Sequence, residues 1–584
     1  MLSEVGTRRL FWGLYITFMV IQVVLATQTE VFGDEAFYWL ESRFWQWSYS
    51  EIPGFVPWLN AISTALLPQH PFFLRLPFLL ACWSLPWLAF VLVRKLCQSR
   101  QAAWQGALLV LSVPLVGLTG IMAIADVWLL LFTLLAVFLW IRLLRTQQAV
   151  TAVYLGLTLM LAVNVHIRFW FVLFVAGLAA VIIYKKRLWQ LKTLWQITVP
   201  LTLLGFMPIV IFNIQHDFPL LGFQLGERNP WQFQLSHLWF FLGQIVITTP
   251  WVFWLCLVSL RRPDADSGYQ SRRFIQLLAL LYWLLYALLG FFSDNLRTNI
   301  HWPLPSYLLL LIVATSFVQR QPTLKKWAVV TGTVAHGVFL IGFWLLLHQL
   351  PVTSNHHKQL INNAIGWQQL SSRIQKLQQP GQMVIADNFM TAAALNYVQN
   401  RQTKLIPALS HPMNQKHGRQ KQLAMMGLLY RNTPEQPALL VVEHTALKLA
   451  QQIPFYRQSC EQLDGLRLMA DVSLRQGSKL FYFFQTGTGD CEFPPIIYHD
   501  VQNNQHTGWV MVDKSSDVRL SRVSADGQLT PIDIRLLPLG DNGLFDKLDS
   551  DRYGRLHYQL PTDQNLQLSV ATPKYRVLTQ AFYR

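Results

Sequence analysis

The 584-residue chain is 53% hydrophobic and only 13% charged, which excludes an ordinary soluble protein and is too long for one ordinary domain. The formal net charge of +17 would suit a nucleic-acid binder. The basic residues, however, form short clusters at the ends of apolar runs and not one stripe, so membrane topology accounts for them and no nucleic-acid partner is expected.

In chain order, the first apolar run is Leu10 to Ala26, preceded by Arg8 and Arg9 and ending in Val24-Leu25-Ala26, which could pass for a cleavage site. At about 17 residues it exceeds a usual signal-peptide core and reads as an uncleaved first span. Next comes Gly33-Asp34-Glu35-Ala36-Phe37-Tyr38-Trp39-Leu40, with Phe44, Trp45, Trp47 and Tyr49 behind it and then Ile52-Pro53-Gly54-Phe55-Val56-Pro57-Trp58. A segment so rich in aromatics, yet too polar to cross a bilayer, predicts a helix at headgroup depth. Two roles compete for its acids. Asp34 could cap the helix with Glu35 favoured by the dipole, or a carboxylate at the membrane edge could be a base toward a substrate with a lipid-anchored leaving group.

Apolar windows recur near 10–27, 76–96, 103–121, 124–144, 151–165, 167–184, 195–213, 237–260, 274–292, 302–319 and 327–349, predicting about eleven spans. With the N-terminus inside, every inner turn is basic: Arg94, Lys95 and Arg100; Arg142 and Arg145; Lys185, Lys186 and Arg187; Arg261, Arg262, Arg272 and Arg273; Arg320, Lys325 and Lys326. The odd count then puts everything after residue 350 outside.

The outer ends of these windows hold the remaining candidates. Asp126 opens a strongly apolar run, as a cap or as a functional group. His166 and Arg168 in Asn164-Val165-His166-Ile167-Arg168 either snorkel or form a cationic pocket for a lipid phosphate. His216 and Asp217 in Asn213-Ile214-Gln215-His216-Asp217-Phe218 are loop hydrogen-bonders or acceptor contacts. The last outer loop carries Asp294, Arg297, Asn299 and His301 before Trp302-Pro303.

Beyond Pro351 the pattern is that of soluble protein. Met383 to Ala386 and Leu439 to Val442 read as buried strands with a helix at Thr391 to Val398 between them. After Pro494, strands are expected at Gly508 to Val512, Arg519 to Val523, Ile532 to Leu537, Leu556 to Leu560 and Leu566 to Val570. The organisation is thus a membrane domain over 1–350 with its first outer loop at 28–75, an α/β domain over 351–490 and a β-rich unit over 491–584. Cys460 and Cys491 could pair if the tail faces an oxidising compartment, or stand as two buried thiols. There is no Cys-x-x-Cys and no His-Glu-x-x-His.

The string Asp34-Glu35-Ala36-Phe37-Tyr38-Trp39-Leu40, then Trp45-Gln46-Trp47-Ser48-Tyr49, Pro53 and Val56-Pro57-Trp58-Leu59, resembles the first extracytoplasmic loop of bacterial polytopic glycosyltransferases of the protein mannosyltransferase and aminoarabinose transferase superfamily, the GT-C fold. Several further pieces resemble that superfamily in order: Asp126, with Ala125 where the family often has Pro; the His166–Arg168 stretch; Asn213-Ile214-Gln215-His216-Asp217; Asn299 before Trp302-Pro303; and, in the tail, Ala386-Asp387-Asn388, Ala392 to Tyr397 and Asn414-Gln415. The resemblance implies a polytopic α-helical membrane protein with an extracytoplasmic tail, working as an inverting glycosyltransferase at the periplasmic face of the bacterial inner membrane. It implies a polyprenyl-phosphate-linked sugar as donor and a lipid, glycan or protein hydroxyl as acceptor. Asp34 is then the catalytic acid, with Glu35 and Asp126 beside it in the catalytic set. His166, Arg168, Arg297 and His301 are donor-phosphate candidates, and Tyr38, His216 and Asp217 acceptor or loop candidates. Glu35 could raise the pKa of Asp34 or help hold a divalent metal ion. A lipid or sugar transporter would want ionisable groups at mid-span, and a membrane-anchored binding protein would work through its tail alone.

Overall fold

A computed structural model describes residues 3–185, 187–228, 231–261, 268–292, 300–317, 321–350, 352, 355–502, 505–515, 517–523, 528–539, 545, 548, 551–561, 567–571 and 576–580. Lys186, Arg262, Asp294, Arg297, Asn299 and Arg320 lie outside the described residues. The chain forms two compact units, one of residues Met1–Thr29 and Glu41–Trp344, the other of Glu30–Leu40 and Leu345–Arg584.

The first unit is helical. Among the described residues, seven helices are long and apolar enough to cross a membrane, from Glu4–Gln28 to Pro322–His348. Two more apolar stretches are broken pairs, Arg100–Leu111 with Pro114–Gly120, bent by 71°, and Leu235–Thr248 with Pro250–Ser259, bent by 101°. Each break has a proline at the start of the second helix, where the missing N–H costs nothing but an uninterrupted helix is impossible.

The expected eleven spans therefore resolve into seven long helices, two bent pairs and two shorter apolar helices, Ala149–Ala162 and Leu304–Ala314. At 1.5 Å per residue the short ones reach roughly 16–21 Å, less than a hydrocarbon core of about 30 Å. Every residue of Leu304–Ala314 is buried within the protein. Its apolarity serves an interior, which hydropathy cannot tell from lipid.

Small residues bring the helices together. A Cβ on Gly205 would come within 2.5 Å of the Met160 carbonyl oxygen and one on Gly156 within 2.8 Å of Leu201, so Ala149–Ala162 and Lys192–Gln215 pack backbone to backbone. Asn164 secures that contact by donating to the Gly205 carbonyl at 2.7 Å. Buried Arg75 finishes the first helix by donating to the carbonyls of Ala26 and Thr29, both at 3.0 Å, groups a helix end leaves without partners.

The second unit is built on a four-stranded sheet of β1 (Val384–Ala386), β2 (Leu439–Glu443), β3 (Leu466–Leu474) and β4 (Lys479–Thr486) in the order β1-β2-β4-β3. β1 and β2 are parallel and the other pairs antiparallel. The helix Phe389–Val398 follows β1 directly, started by Asn388, whose side chain accepts from the amides of Met390 and Thr391. Helix Leu449–Gln462 covers the sheet through Phe455 and Tyr456, in one core with Leu440, Val442, Tyr482 and Phe484. Its Cys460 is bonded to Cys491, with Cα atoms 5.9 Å apart. Closing a loop over a sequence separation of 31 stabilises a fold by about 3.7 kcal/mol in the chain-entropy account.

The remaining strands are β5 (Ile496–Gln502), β6 (Gln505–Asp513), β7 (Arg519–Val523), β8 (Leu529–Pro531), β9 (Ile534–Leu537), β10 (Tyr553–Pro561), β11 (Gln567–Ala571) and β12 (Arg576–Gln580). They make two four-stranded antiparallel sheets, β5-β6-β10-β9 and β12-β11-β7-β8.

Residues 30–40 belong to this second unit. The helix Gly33–Ser42 carries Phe37 and Trp39, both fully buried, against Phe389 at 5.2 Å and Tyr397 at 5.1 Å between ring centroids. Trp367 fixes the approach: its amide donates to Glu30 at 2.7 Å and its indole N–H to the Val31 carbonyl at 3.1 Å. The same ring lies 3.4 Å beneath the Lys479 ammonium. Phe37 and Trp39 are thus the buried face of an amphipathic helix, whereas Trp45 and Trp47 stay exposed.

Candidate active site

The membrane unit gathers four of the sequence candidates. Asp126 is the first residue of helix Asp126–Thr146, whose N-cap Ala125 makes no side-chain cap. Its carboxylate turns to other helices, accepting from Arg168 Nη1 at 2.9 Å and lying 3.3 Å from His301 Nε2. His166 caps helix Ile167–Tyr184, its Nδ1 accepting from the Arg168 amide at 3.1 Å. Since Nδ1 is an acceptor there, a neutral ring carries its proton on Nε2. Burial, with Arg168 and Arg228 nearby, drives the His166 pKa well below its usual range and so keeps the ring neutral.

Around this group lies a cavity of about 120 Å³ lined by His166, Arg168, Phe171, Gln224, Arg228, Tyr286 and Trp302 among others. The guanidinium groups of Arg168 and Arg228 lie over the Trp302 ring at 5.6 and 5.5 Å. Two guanidinium groups and no carboxylate among the described lining residues, set on aromatic walls, suit an anionic group attached to an apolar body. Phe169, the residue after Arg168, lines a second cavity of about 150 Å³ with Trp140, Leu155, Val172 and Phe274.

In the second unit, the acids of Gly33-Asp34-Glu35 divide their work. Glu35 is fully buried and accepts from the Phe32 amide at 2.7 Å, the backward reach of a third helical residue in a capping box. Asp34 is not the cap. It accepts from Arg419 Nη1 at 2.8 Å, with its side chain 41% exposed against 4% for the arginine. Arg419 is boxed by Phe389, Phe37 and Tyr38 at 4.2, 4.6 and 5.6 Å. The tail motifs hold the box: the Asn414 side chain accepts from the Phe389 amide at 2.8 Å and donates to the Leu409 carbonyl.

His216 and Asp217 lie exposed at the end of helix Lys192–Gln215, and Asp217 has a left-handed backbone, φ 59. Arg297 lies outside the described residues. In the Asp34–Glu35 pair, Asp34 Oδ1 already accepts from Arg419 and Glu35 Oε2 from the Phe32 amide. Among the described residues no group of three or more His, Cys, Asp or Glu could hold a metal. Sequence reasoning missed Arg228 and Arg419. Arg228 is a lone cation in a polar loop, and Arg419, amid Lys416, Lys421 and Gln422, reads as a solvated helix face.

No curated protein matches the chain in sequence. Residues 52–212, which include Asp126, His166 and Arg168, match the family described as dolichyl-phosphate-mannose-protein mannosyltransferase. The structure of ArnT from Cupriavidus metallidurans in the apo state superposes with a TM-score of 0.58 at 12% identity, covering 83% of this chain and 98% of that one. The same protein bound to undecaprenyl phosphate gives 0.55 at 13% identity, over 82% and 98%. The chain is a multi-pass membrane protein with the GT-C glycosyltransferase fold, that of the protein mannosyltransferase and ArnT-like superfamily.

Proposed function

We propose that this protein transfers a sugar from a polyprenyl-phosphate donor to a hydroxyl acceptor at the periplasmic face of the bacterial inner membrane. The observation that carries the reading is the aromatic-walled pocket with two guanidinium groups, Arg168 from the first turn of an apolar helix and Arg228 from a loop. A phosphate joined to a prenyl chain has the matching chemistry, and a similar structure is bound to undecaprenyl phosphate.

In this reading Asp34 takes the proton of the acceptor hydroxyl. The acceptor oxygen forms the new bond to the anomeric carbon as the bond to the phosphate oxygen breaks, with inversion. The lipid phosphate leaves with the electron pair. Arg168 and Arg228, with the His166 Nε2–H, stabilise the charge growing on it, where low solvation makes such contacts strong. Asp126 and His301 hold Arg168 in place. The periplasmic side is supported by the basic inner turns and by the Cys460–Cys491 bond, which suits an oxidising compartment.

The test is conversion of a radiolabelled polyprenyl-phosphate sugar by the purified chain in liposomes, with a membrane extract as acceptor source. Loss of label from the lipid and its appearance in an extract component is expected. A donor that persists with every sugar tried sinks the proposal.

A further inference from the structure

We propose that Arg419, on the soluble tail, is a positioning residue for the candidate base Asp34: it holds the carboxylate ionised and aimed, so the tail completes the acid. This rests on the reading of Asp34 as base. The pair joins residues 385 apart in sequence at 2.8 Å. Its two ends are unequal, the guanidinium sealed at 4% side-chain exposure and the carboxylate open at 41%.

A surface ion pair seeking only charge balance would leave both ends mobile in water. Here the cation is immobilised and the anion is presented. Three rings fix the guanidinium plane, and one of them, Phe389, opens the helix after β1 with its amide tied to Asn414. Position therefore passes from the carboxyl end of the parallel strand through Phe389 and Arg419 to Asp34. The next carboxylate, Glu35, is already engaged by the Phe32 amide. Without Arg419 the Asp34 carboxylate loses the cationic partner that favours its ionised form, and a protonated acid is no base.

Titratable groups near the pair among the described residues include Glu35 beside Asp34 in the chain, His417, whose ring lies 5.7 Å from that of Phe389, and Tyr38. The experiment measures kcat and KM for the lipid-phosphate sugar between pH 5 and 8.5 in the full chain and in Arg419→Gln, Arg419→Lys, His417→Gln and Asp34→Asn. In Arg419→Gln the acidic limb of kcat should move upward by about one pH unit or more, with kcat down at least tenfold at pH 6, partial recovery at pH 8 and donor KM unchanged. Arg419→Lys keeps the charge but not the planar fork, so its limb should stay low while kcat falls at every pH. His417→Gln should leave the shape of the profile intact.

A kcat limb in Arg419→Gln that matches the wild type, with only the thermal midpoint lowered, makes Arg419 a structural residue and overturns the inference. A limb abolished by His417→Gln also overturns it. If Arg419→Gln does not fold, Arg419→Lys decides: undiminished kcat rejects the positioning role. Full turnover by Asp34→Asn would instead remove the base assignment itself, an outcome separate from the others.

Discussion

Arg168 Nη1 lies 2.9 Å from Asp126 Oδ1, binding the first turn of one apolar helix to that of another 42 residues on. Both side chains are nearly sealed, at 9% and 12% exposure. Arg168 also lines the pocket with Arg228, and two guanidinium groups on aromatic walls suit an anionic ligand.

Arg168→Ala should weaken donor binding by roughly 1.5–3 kcal/mol, the worth of a charge-assisted contact, or about 10- to 100-fold in affinity. Arg168→Lys should not restore it, because an ammonium cannot stack on Trp302 and bridge to Asp126 together. Donor titration against the purified chain measures both. Asp126→Asn should cost stability more than chemistry, about 3–5 kcal/mol for stranding a buried cation, read as a lowered thermal midpoint in detergent.

Asp34→Asn should reduce turnover by about 10²–10⁴-fold, the range for a lost general base, while circular dichroism changes little and the thermal midpoint falls, because the sealed Arg419 loses its charged partner. The substitution keeps the side chain's shape, and the capping of helix Gly33–Ser42 falls to Glu35. A near-normal enzyme would reduce Asp34 to the structural partner of Arg419.

Topology is read by labelling. A cysteine placed at exposed Lys421 of the tail should react with an impermeant thiol reagent in intact spheroplasts. One placed at exposed Arg145, at the end of helix Asp126–Thr146, should react only after lysis. The reverse pattern would invert the membrane assignment and displace the proposed reaction to the other face.

Glu443 and Asp387 should each cost the tail stability as pH rises from 5 toward 7. They are opposed by His411 and His444, which burial lowers to about 3 and which add stability up to their unfolded 6.5. Burial, together with the nearby Asp387 charge, raises Glu443 from 4.5 to about 7 despite Lys479, and burial raises Asp387 to about 6. A carboxyl group whose folded pKa is raised holds its proton longer in the folded state. Its contribution is complete below the unfolded value and disappears as pH climbs through the folded one. Burial lowers Lys479 to about 8, so this group acts in the opposite sense, adding stability as pH rises from about 8 toward its unfolded 10.5. The thermal midpoint of the solubilised chain is scanned against pH: the midpoint of Glu443→Gln relative to the wild type should rise across 5–7, because the variant lacks the Glu443 contribution that is lost there. An unchanged slope in the variant would assign the pH dependence to other groups.

The sequence alone determined what depends on neighbours in the chain. Runs of apolar residues flanked by arginine and lysine marked the helical stretches, because hydrophobic length and charge sorting are local properties. Alternation and turn residues marked β1, β2, β6, β7, β10 and β11 for the same reason. Asp34, Asp126, His166, Arg168 and His301 stood out as polar groups at the ends of apolar runs. Tertiary structure decided the rest. It made Leu304–Ala314 an interior helix, because burial in protein and burial in lipid demand the same side chains. It brought residues 30–40 into the tail unit and set Arg419 on Asp34, since no periodicity spans 385 residues and a guanidinium boxed by three rings looks in sequence like any surface arginine. It also gave Glu35 rather than Asp34 the capping role, a choice fixed by where the helix starts relative to Phe32 and Trp367, which is a matter of packing and not of composition.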